Sequence, residues 1–288
     1  MAHSCEILMC PPRYFEVTYR INPWMDPAQT VVDRTRAFAQ WSALREALAR
    51  SARIIEIAPL PGLPDMVFTA NAGLVLRGQA VVSRFLHAER RGEEAPFRTF
   101  FEAHGFAVEV LPDEMFFEGA GDALFDRRSS ILWAGSGWRS LPQGHEWLSR
   151  KLGCEVVSLE LVDPRFYHLD TCFCPLADGA LLYYPGAFSP ASQASVEAHV
   201  APRDRIAVSL EDALRFTCNA VNLGSRIALH AISLPLRQTL ESRGFEVMET
   251  PLDEFLKAGG SAKCLTLRLD ETLAPGFETN GADSRSPC

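Results

Sequence analysis

The chain has 288 residues, 47% of them hydrophobic and 22% charged, with a formal net charge of -8. That composition supplies an apolar core for one large globular domain or two small ones. An acidic balance with no basic cluster argues against a nucleic-acid partner, and no apolar run approaches the ~18 residues of a membrane span.

The start, MAHSCEILMC, lacks a basic stretch followed by a long apolar one, so no secretory leader is expected. A helix is predicted over 37–51 (AFAQWSALREALARS) and a strand over 53–60 (RIIEIAPL). One form then recurs: a polar or reactive residue, then a compact apolar strand. It occurs as TANAGLVL at Asn71, FEGAGDALF at Glu118, YHLDTCFCPL at His168, TCNAVNLG at Asn219 and AKCLTLRL at Cys264. The intervals between those residues are 47, 50, 51 and 45. Each of the first four is followed by a second apolar run: AVVSRFL, SSILWAG, ALLYYPG and SRIALHA. Helical patterns ending in glycine come next (PFRTFFEAHG, HEWLSRKLG, LRQTLESRG), then returning strands (FAVEVL, CEVVSLEL, FEVMETPL). The third unit departs, with Pro202 in place of the glycine stop.

The repeating unit is therefore strand, strand, helix, strand, and one such unit cannot bury its apolar face alone. The expected architecture is α/β: a closed ring of five ββαβ blades, with strands lining the middle and helices outside. Equivalent strand ends then meet at one end of the axis, which brings Asn71, Glu118, His168 and Cys264 together. A doubly wound sheet with an accidental period is the alternative. The pattern stops at residue 273, so 1–273 is expected to be a single catalytic domain and 274–288 (APGFETNGADSRSPC) a disordered tail.

The eight cysteines, at 5, 10, 154, 172, 174, 218, 264 and 288, do not form a disulfide framework. Most lie in apolar strand-like runs, which points to a reducing, cytoplasmic setting. In HLDTCFC, period-two alternation would put His168, Asp170, Cys172 and Cys174 on one face. A metal site is not expected there, because the spacing is wrong for zinc and a second ligand pair is missing. Asp65 can pair with a cation, Phe68 can lie against a flat group, and Asn71 can donate and accept. Asn22 in INPWMD reads first as a turn residue and second as a ligand contact. Glu118 and Asp122 flank glycines that would let backbone pass close to a ligand. Among Arg84, Arg90, Arg91 and Arg139, any could be a carboxylate fork or a solvated surface residue. Cys264 could be packing or a nucleophile. Taken together, these residues suit a small, flat, cationic substrate with a carboxylate tail.

The order Asp65, Glu118, His168, Cys264 on five α/β blades resembles the guanidine-modifying superfamily: arginine deiminase, dimethylarginine dimethylaminohydrolase and the amidinotransferases. Longer strings narrow this. MCPPRYFEVTYRINPWM, PDMVFTANAGLVL, SRFLHAERRGEE, FEGAGDALF, RFYHLDTCFCPL, CNAVNLG and LKAGGSAKCLTLR resemble the arginine dihydrolase domain of bifunctional arginine dihydrolase/ornithine cyclodeaminase proteins. The resemblance covers roughly 8–270, and the cyclodeaminase activity is not implied. It implies Cys264 as nucleophile, His168 as general acid/base and Glu118 as the partner of the histidine and a substrate contact. It implies Asp65 as the guanidinium contact, Arg90 and Arg139 as the carboxylate pair, and Asn22 and Asn71 as marks of the dihydrolase group. The implied reaction takes L-arginine to L-ornithine, two ammonia and carbon dioxide without a cofactor or metal. An amide able to rotate at Asn22 and Asn71 would let citrulline be attacked a second time. The alternatives are a one-step hydrolase releasing citrulline, an amidinotransferase, and a non-catalytic binding protein on the same ring. Assembly into a homo-oligomer is left open.

Overall fold

A computed structural model describes residues 5–273, so the expected tail at 274–288 lies outside the described residues. The strands form five separate three-stranded sheets. Four follow the chain directly. The first of these contains Gly73–Leu76, Gln79–Val82 and Ala107–Val110; the second contains Ala123–Phe125, Ile131–Ser136 and Glu155–Glu160. The third contains Phe173–Pro175, Leu181–Tyr183 and Arg205–Ala207, and the fourth Val221–Leu223, Arg226–Leu229 and Glu246–Glu249. In each, the middle strand runs antiparallel to the first and parallel to the third. A hairpin can join the antiparallel pair, but the parallel pair needs a crossover, and a helix supplies it every time. These helices are Glu94–Ala103, Gln143–Leu152, Pro190–His199 and Leu234–Ser242.

The fifth sheet closes the ring from both ends of the described chain. Leu267–Arg268 pairs antiparallel with Cys5–Met9, which pairs parallel with Ala52–Glu56 across the helix Arg34–Ala49. The predicted first helix and last strand thus belong to one blade, and the ring of five is the architecture found.

The first strands of the sheets are buried, as Gly73–Leu76 and Ala123–Phe125 show in full. The helices bury one side only: Phe97, Phe100 and Phe101 lie on the inner face of Glu94–Ala103, at the spacing an amphipathic helix requires. Truncating a ring such as Phe101 to alanine would cost about 3–5 kcal/mol, since a core this close-packed does not collapse around the void. Ser189 caps the helix Pro190–His199 by accepting from the Ser192 N–H, and proline fills the first helical position. In this third unit the helix runs into extended backbone at Val200, and Pro202 opens a short 3-10 turn before the returning strand.

The sequence repeat is out of register with the structural one. Ahead of each first strand stands a tight turn, and Phe68, Glu118, His168, Phe216 and Ala262 all stand five residues before their strands. Asn71 and Asn219 are nearer the strand, and so are Asp170 and Cys264, which share one offset. The expected alternation from His168 to Cys174 is also absent. His168 is extended, Leu169–Thr171 forms a 3-10 turn, and the strand begins only at Phe173. Asp170 is thereby turned toward Cys264, while Cys172 and Cys174 pack in the apolar core.

Candidate active site

The turns before the strands converge on a small cavity. Eight of the nine residues singled out in the sequence line it: Asn22, Asp65, Phe68, Asn71, Arg90, Arg139, His168 and Cys264. The ninth, Glu118, is fully buried one layer behind, where its Oε2 meets His168 Nε2 at 2.8 Å.

Glu118 anchors one side. Its Oε2 also accepts from Arg139 Nη1 at 3.0 Å, and its Oε1 accepts from the Leu86 N–H at 3.3 Å. Burial alone would raise its pKa. Arg139 and the His168 hydrogen bond outweigh this and hold the carboxyl below the usual carboxylate range. Arg139 is fixed in turn by the Ile21 carbonyl at 3.0 Å and by the Tyr167 ring beneath its guanidinium. Behind this group Ser140 donates to Asp122 at 2.5 Å, and Asp122 accepts from the Leu169 N–H. Burial pushes Asp122 up to about 6, against the opposing pull of His168 and Ser140.

Arg90 builds a second group. Its Nε and Nη2 form a fork on Glu93 at 2.9 and 2.8 Å, and its Nη1 donates to Asn71 Oδ1 at 2.9 Å. Asp65 Oδ2 lies 3.9 Å from the same guanidinium, and Asp65 Oδ1 is buried with no hydrogen-bond partner among the described residues. Burial raises the pKa of Asp65, and Arg90 opposes it. Of the four arginines considered, only Arg90 and Arg139 are buried. Arg84 pairs with exposed Asp113, and Arg91 binds the carbonyls of Phe85 and Leu86.

The third group surrounds the thiol. Cys264 Sγ lies 3.5 Å from both oxygens of Asp170 and accepts from Asn219 Nδ2 at 3.1 Å. Asn219 Oδ1 in turn accepts from the Cys264 N–H. Burial and then Asp170 push the Cys264 pKa well above its ordinary value, while burial brings Asp170 up to about 7 against the pull of Lys263. A buried thiol beside a buried carboxylate favours a bound cation, since a positive charge between them relieves both.

The structure corrects two details of the sequence reading. Gly121 does not make room for a ligand: a Cβ there would stand 2.2 Å from Asn71 Nδ2, so the glycine lets the amide pack. Neither asparagine is free to rotate. Asn71 Nδ2 donates to the Glu118 carbonyl at 3.1 Å while its oxygen faces Arg90. Asn22 Nδ2 donates to the Ala258 carbonyl, and its oxygen accepts from the N–H groups of Trp24 and Met25. Turning either amide would set oxygen against oxygen. Phe68 does line the cavity, edge-on to Phe15, and Gly260 permits it, since a Cβ there would stand 2.3 Å from the ring. In the sequence alone Asp170 is a metal candidate and Asn219 a repeat marker; their proximity to the thiol arises from the turn register. No group of three or more His, Cys, Asp or Glu side chains suited to a metal ion occurs among the described residues.

With this geometry in hand, comparison with known proteins places the chain. The family profile described as "N,N dimethylarginine dimethylhydrolase, eukaryotic" matches residues 16–270. The chain belongs to that family. It is 51% identical over 280 residues to the bifunctional arginine dihydrolase/ornithine cyclodeaminase AgrE of Nostoc sp.. The match covers 97% of this chain and 40% of that protein, so the chain spans less than half the length of the bifunctional relative. It is 41% identical over 262 residues to the N(G),N(G)-dimethylarginine dimethylaminohydrolase of Mycobacterium tuberculosis, covering 91% of this chain and 84% of that one. Its structure superposes on the crystallised N-terminal domain of ArgZ, a cyanobacterial arginine dihydrolase solved as a Cys-to-Ser variant bound to substrate. The TM-score is 0.91 at 51% identity, over 93% of this chain and 99% of that one.

Proposed function

We propose that the chain is a cysteine-dependent arginine dihydrolase. It would convert L-arginine and two waters to L-ornithine, two ammonia and carbon dioxide. The observation that carries this reading is Cys264 Sγ, 3.5 Å from Asp170, in the same cavity as the His168–Glu118 pair. The relatives named as arginine dihydrolases support the choice of substrate.

Asp170, 3.5 Å from the thiol and outside the cavity lining, acts on the sulfur from behind, and Asp65 is the carboxylate on the cavity wall. Asp65 stands with Arg90. If Arg90 takes the α-carboxylate, Asp65 with its unpartnered Oδ1 takes the neighbouring α-ammonium rather than the guanidinium. The resting thiol is protonated, and the bound guanidinium favours its thiolate. The thiolate attacks the guanidinium carbon, one terminal C–N bond breaks, and ammonia leaves with a proton from His168. Water then loses a proton to His168 and displaces sulfur from the thiouronium, giving citrulline. A second attack on the ureido carbon expels the second ammonia. The carbamate released by hydrolysis decomposes to ornithine and carbon dioxide. Glu118, held ionised, orients His168 and stabilises it when protonated.

Counting products per arginine consumed tests the reading. Two ammonia with ornithine supports it, and one ammonia with accumulating citrulline refutes the second step. A second reading, hydrolysis of N-methylated arginines, has the family profile and the mycobacterial relative in its favour. Turnover of asymmetric dimethylarginine in preference to arginine would establish it. We place the enzyme in a reducing cytoplasm, in keeping with seven unpaired cysteines among the described residues. Among those residues no helix is long and apolar enough to cross a membrane.

A further inference from the structure

The turns bearing Asp170 and Cys264 precede the first strands of their sheets. The strands, the residues after them, and Lys263 and Thr266 of the Cys264 turn bound a second cavity that shares no lining residue with the catalytic one. Its charged wall residues are Arg127, Lys263, Arg268 and Glu271, three cations to one carboxylate. Glu271 is taken up by Arg127 through two hydrogen bonds of 2.7 and 3.0 Å, and Arg268 turns to Asp270 at 3.0 Å. Lys263 has no such partner. Its ammonium makes one long hydrogen bond, 3.4 Å to the Ala120 carbonyl, and no ion pair among the described residues. The rest of the wall is largely apolar, with Phe173 and Leu223 on it.

A half-buried ammonium that forms no ion pair among the described residues, on a largely apolar wall, matches an anion carrying a hydrocarbon body. The charge gains a desolvated partner and the body buries apolar surface. We propose that this axial cavity is a second ligand site, which takes a small organic carboxylate on Lys263 and slows turnover when filled. The coupling is short. Lys263 immediately precedes Cys264, and its N–H is bonded to the carbonyl of Asn219, whose side chain holds the thiol. Lys263 is also the foremost cation lowering the proton affinity of Asp170, so an anion on it weakens the electrostatic support of the nucleophile. The kinetic part rests on the arginine-hydrolase reading, but the binding part does not.

Phenylacetate serves as the probe, with 2-phenylethanol as its neutral counterpart and inorganic phosphate as an anion without a hydrocarbon body. Binding to the full chain is measured by calorimetry, with and without saturating arginine. Phenylacetate is expected to bind saturably, about tenfold tighter than 2-phenylethanol, and to stay bound when arginine is added. Lys263→Met should weaken it about tenfold. Leu223→Trp, which fills the cavity and keeps the lysine, should abolish it and covers the case in which Lys263→Met does not fold. In turnover assays phenylacetate should lower kcat with little change in KM. Absence of saturable binding, displacement by arginine, tighter binding of phosphate, or indifference to both substitutions would overturn the site. A purely competitive effect would overturn the coupling.

Discussion

Around Arg90 four of the five guanidinium N–H groups have partners: Glu93 takes two, Asn71 one and the Asp65 carbonyl one, which leaves one for a ligand. Around Cys264 the opposite holds, for the thiol and Asp170 face each other with both proton affinities raised and only Asn219 between them and the core. The contrast divides the work of one cavity. A region with paired charges is rigid before the ligand arrives, which suits recognition of a fixed group such as an α-carboxylate. A region where Lys263 only partly offsets the raised proton affinities is completed by the ligand, so binding energy is directed to the atom that reacts. The predictions below test that division.

The largest effect is expected at the sulfur. Cys264→Ala should cut ammonia release by on the order of 10⁵-fold or more, while arginine still binds in calorimetry. Residual turnover within a hundredfold of the parent would remove the nucleophile from the reading. Asp170→Asn should lower kcat/KM by about 10²–10³-fold, since it deletes the anion beside the developing charge. The pH profile sharpens this. Asp170 is neutral below about 7 and ionises as pH rises through it, so kcat/KM should climb across that range. In Asp170→Asn that limb should vanish, and its survival would assign the limb to another group.

The Arg90 side should respond differently. Glu93→Gln leaves a buried guanidinium short of one charge, which should cost about 3 kcal/mol of stability, read as a lower unfolding midpoint in urea. KM for arginine should rise about tenfold with kcat nearly unchanged, because this side binds ground and transition states alike. A fall in kcat with constant KM would erase the division between the two regions.

Sequence patterning reached the ring because each blade is one local unit with its own hairpin, helix and returning strand, and hydrophobic period reports such units well. It missed the register of the turns. A 3-10 turn at Leu169–Thr171 replaces the extended backbone that alternation assumes, and that change carries Asp170 from an imagined metal face to the thiol. Asn219 was visible only as a repeat marker, because its function depends on a neighbour 45 positions away. The resemblance gave Cys264, His168 and Glu118 their roles, yet it could not show that Asp65 stands with Arg90. Nor could composition reveal that the amides of Asn22 and Asn71 are locked by their own hydrogen bonds.

Asn71 links the Arg90 region to the His168–Glu118 group, accepting from Arg90 and donating to the carbonyl of Glu118, so its substitution is the finest test. In Asn71→Asp one carboxylate oxygen keeps the arginine, but the other faces the Glu118 carbonyl where an N–H stood. That repulsion and the lost donor should weaken the first ammonia release only modestly, about tenfold, since the guanidinium remains a cation and tolerates an added anion. Citrulline is neutral and presents a carbonyl oxygen. A carboxylate nearby repels it, whereas the neutral amide does not. The variant should therefore release citrulline before the second attack, moving the product ratio from ornithine toward citrulline at constant arginine consumed. If Asn71→Asp still yields ornithine alone, the neutrality of this position does not govern the second hydrolysis, and the cause must lie nearer the thiol.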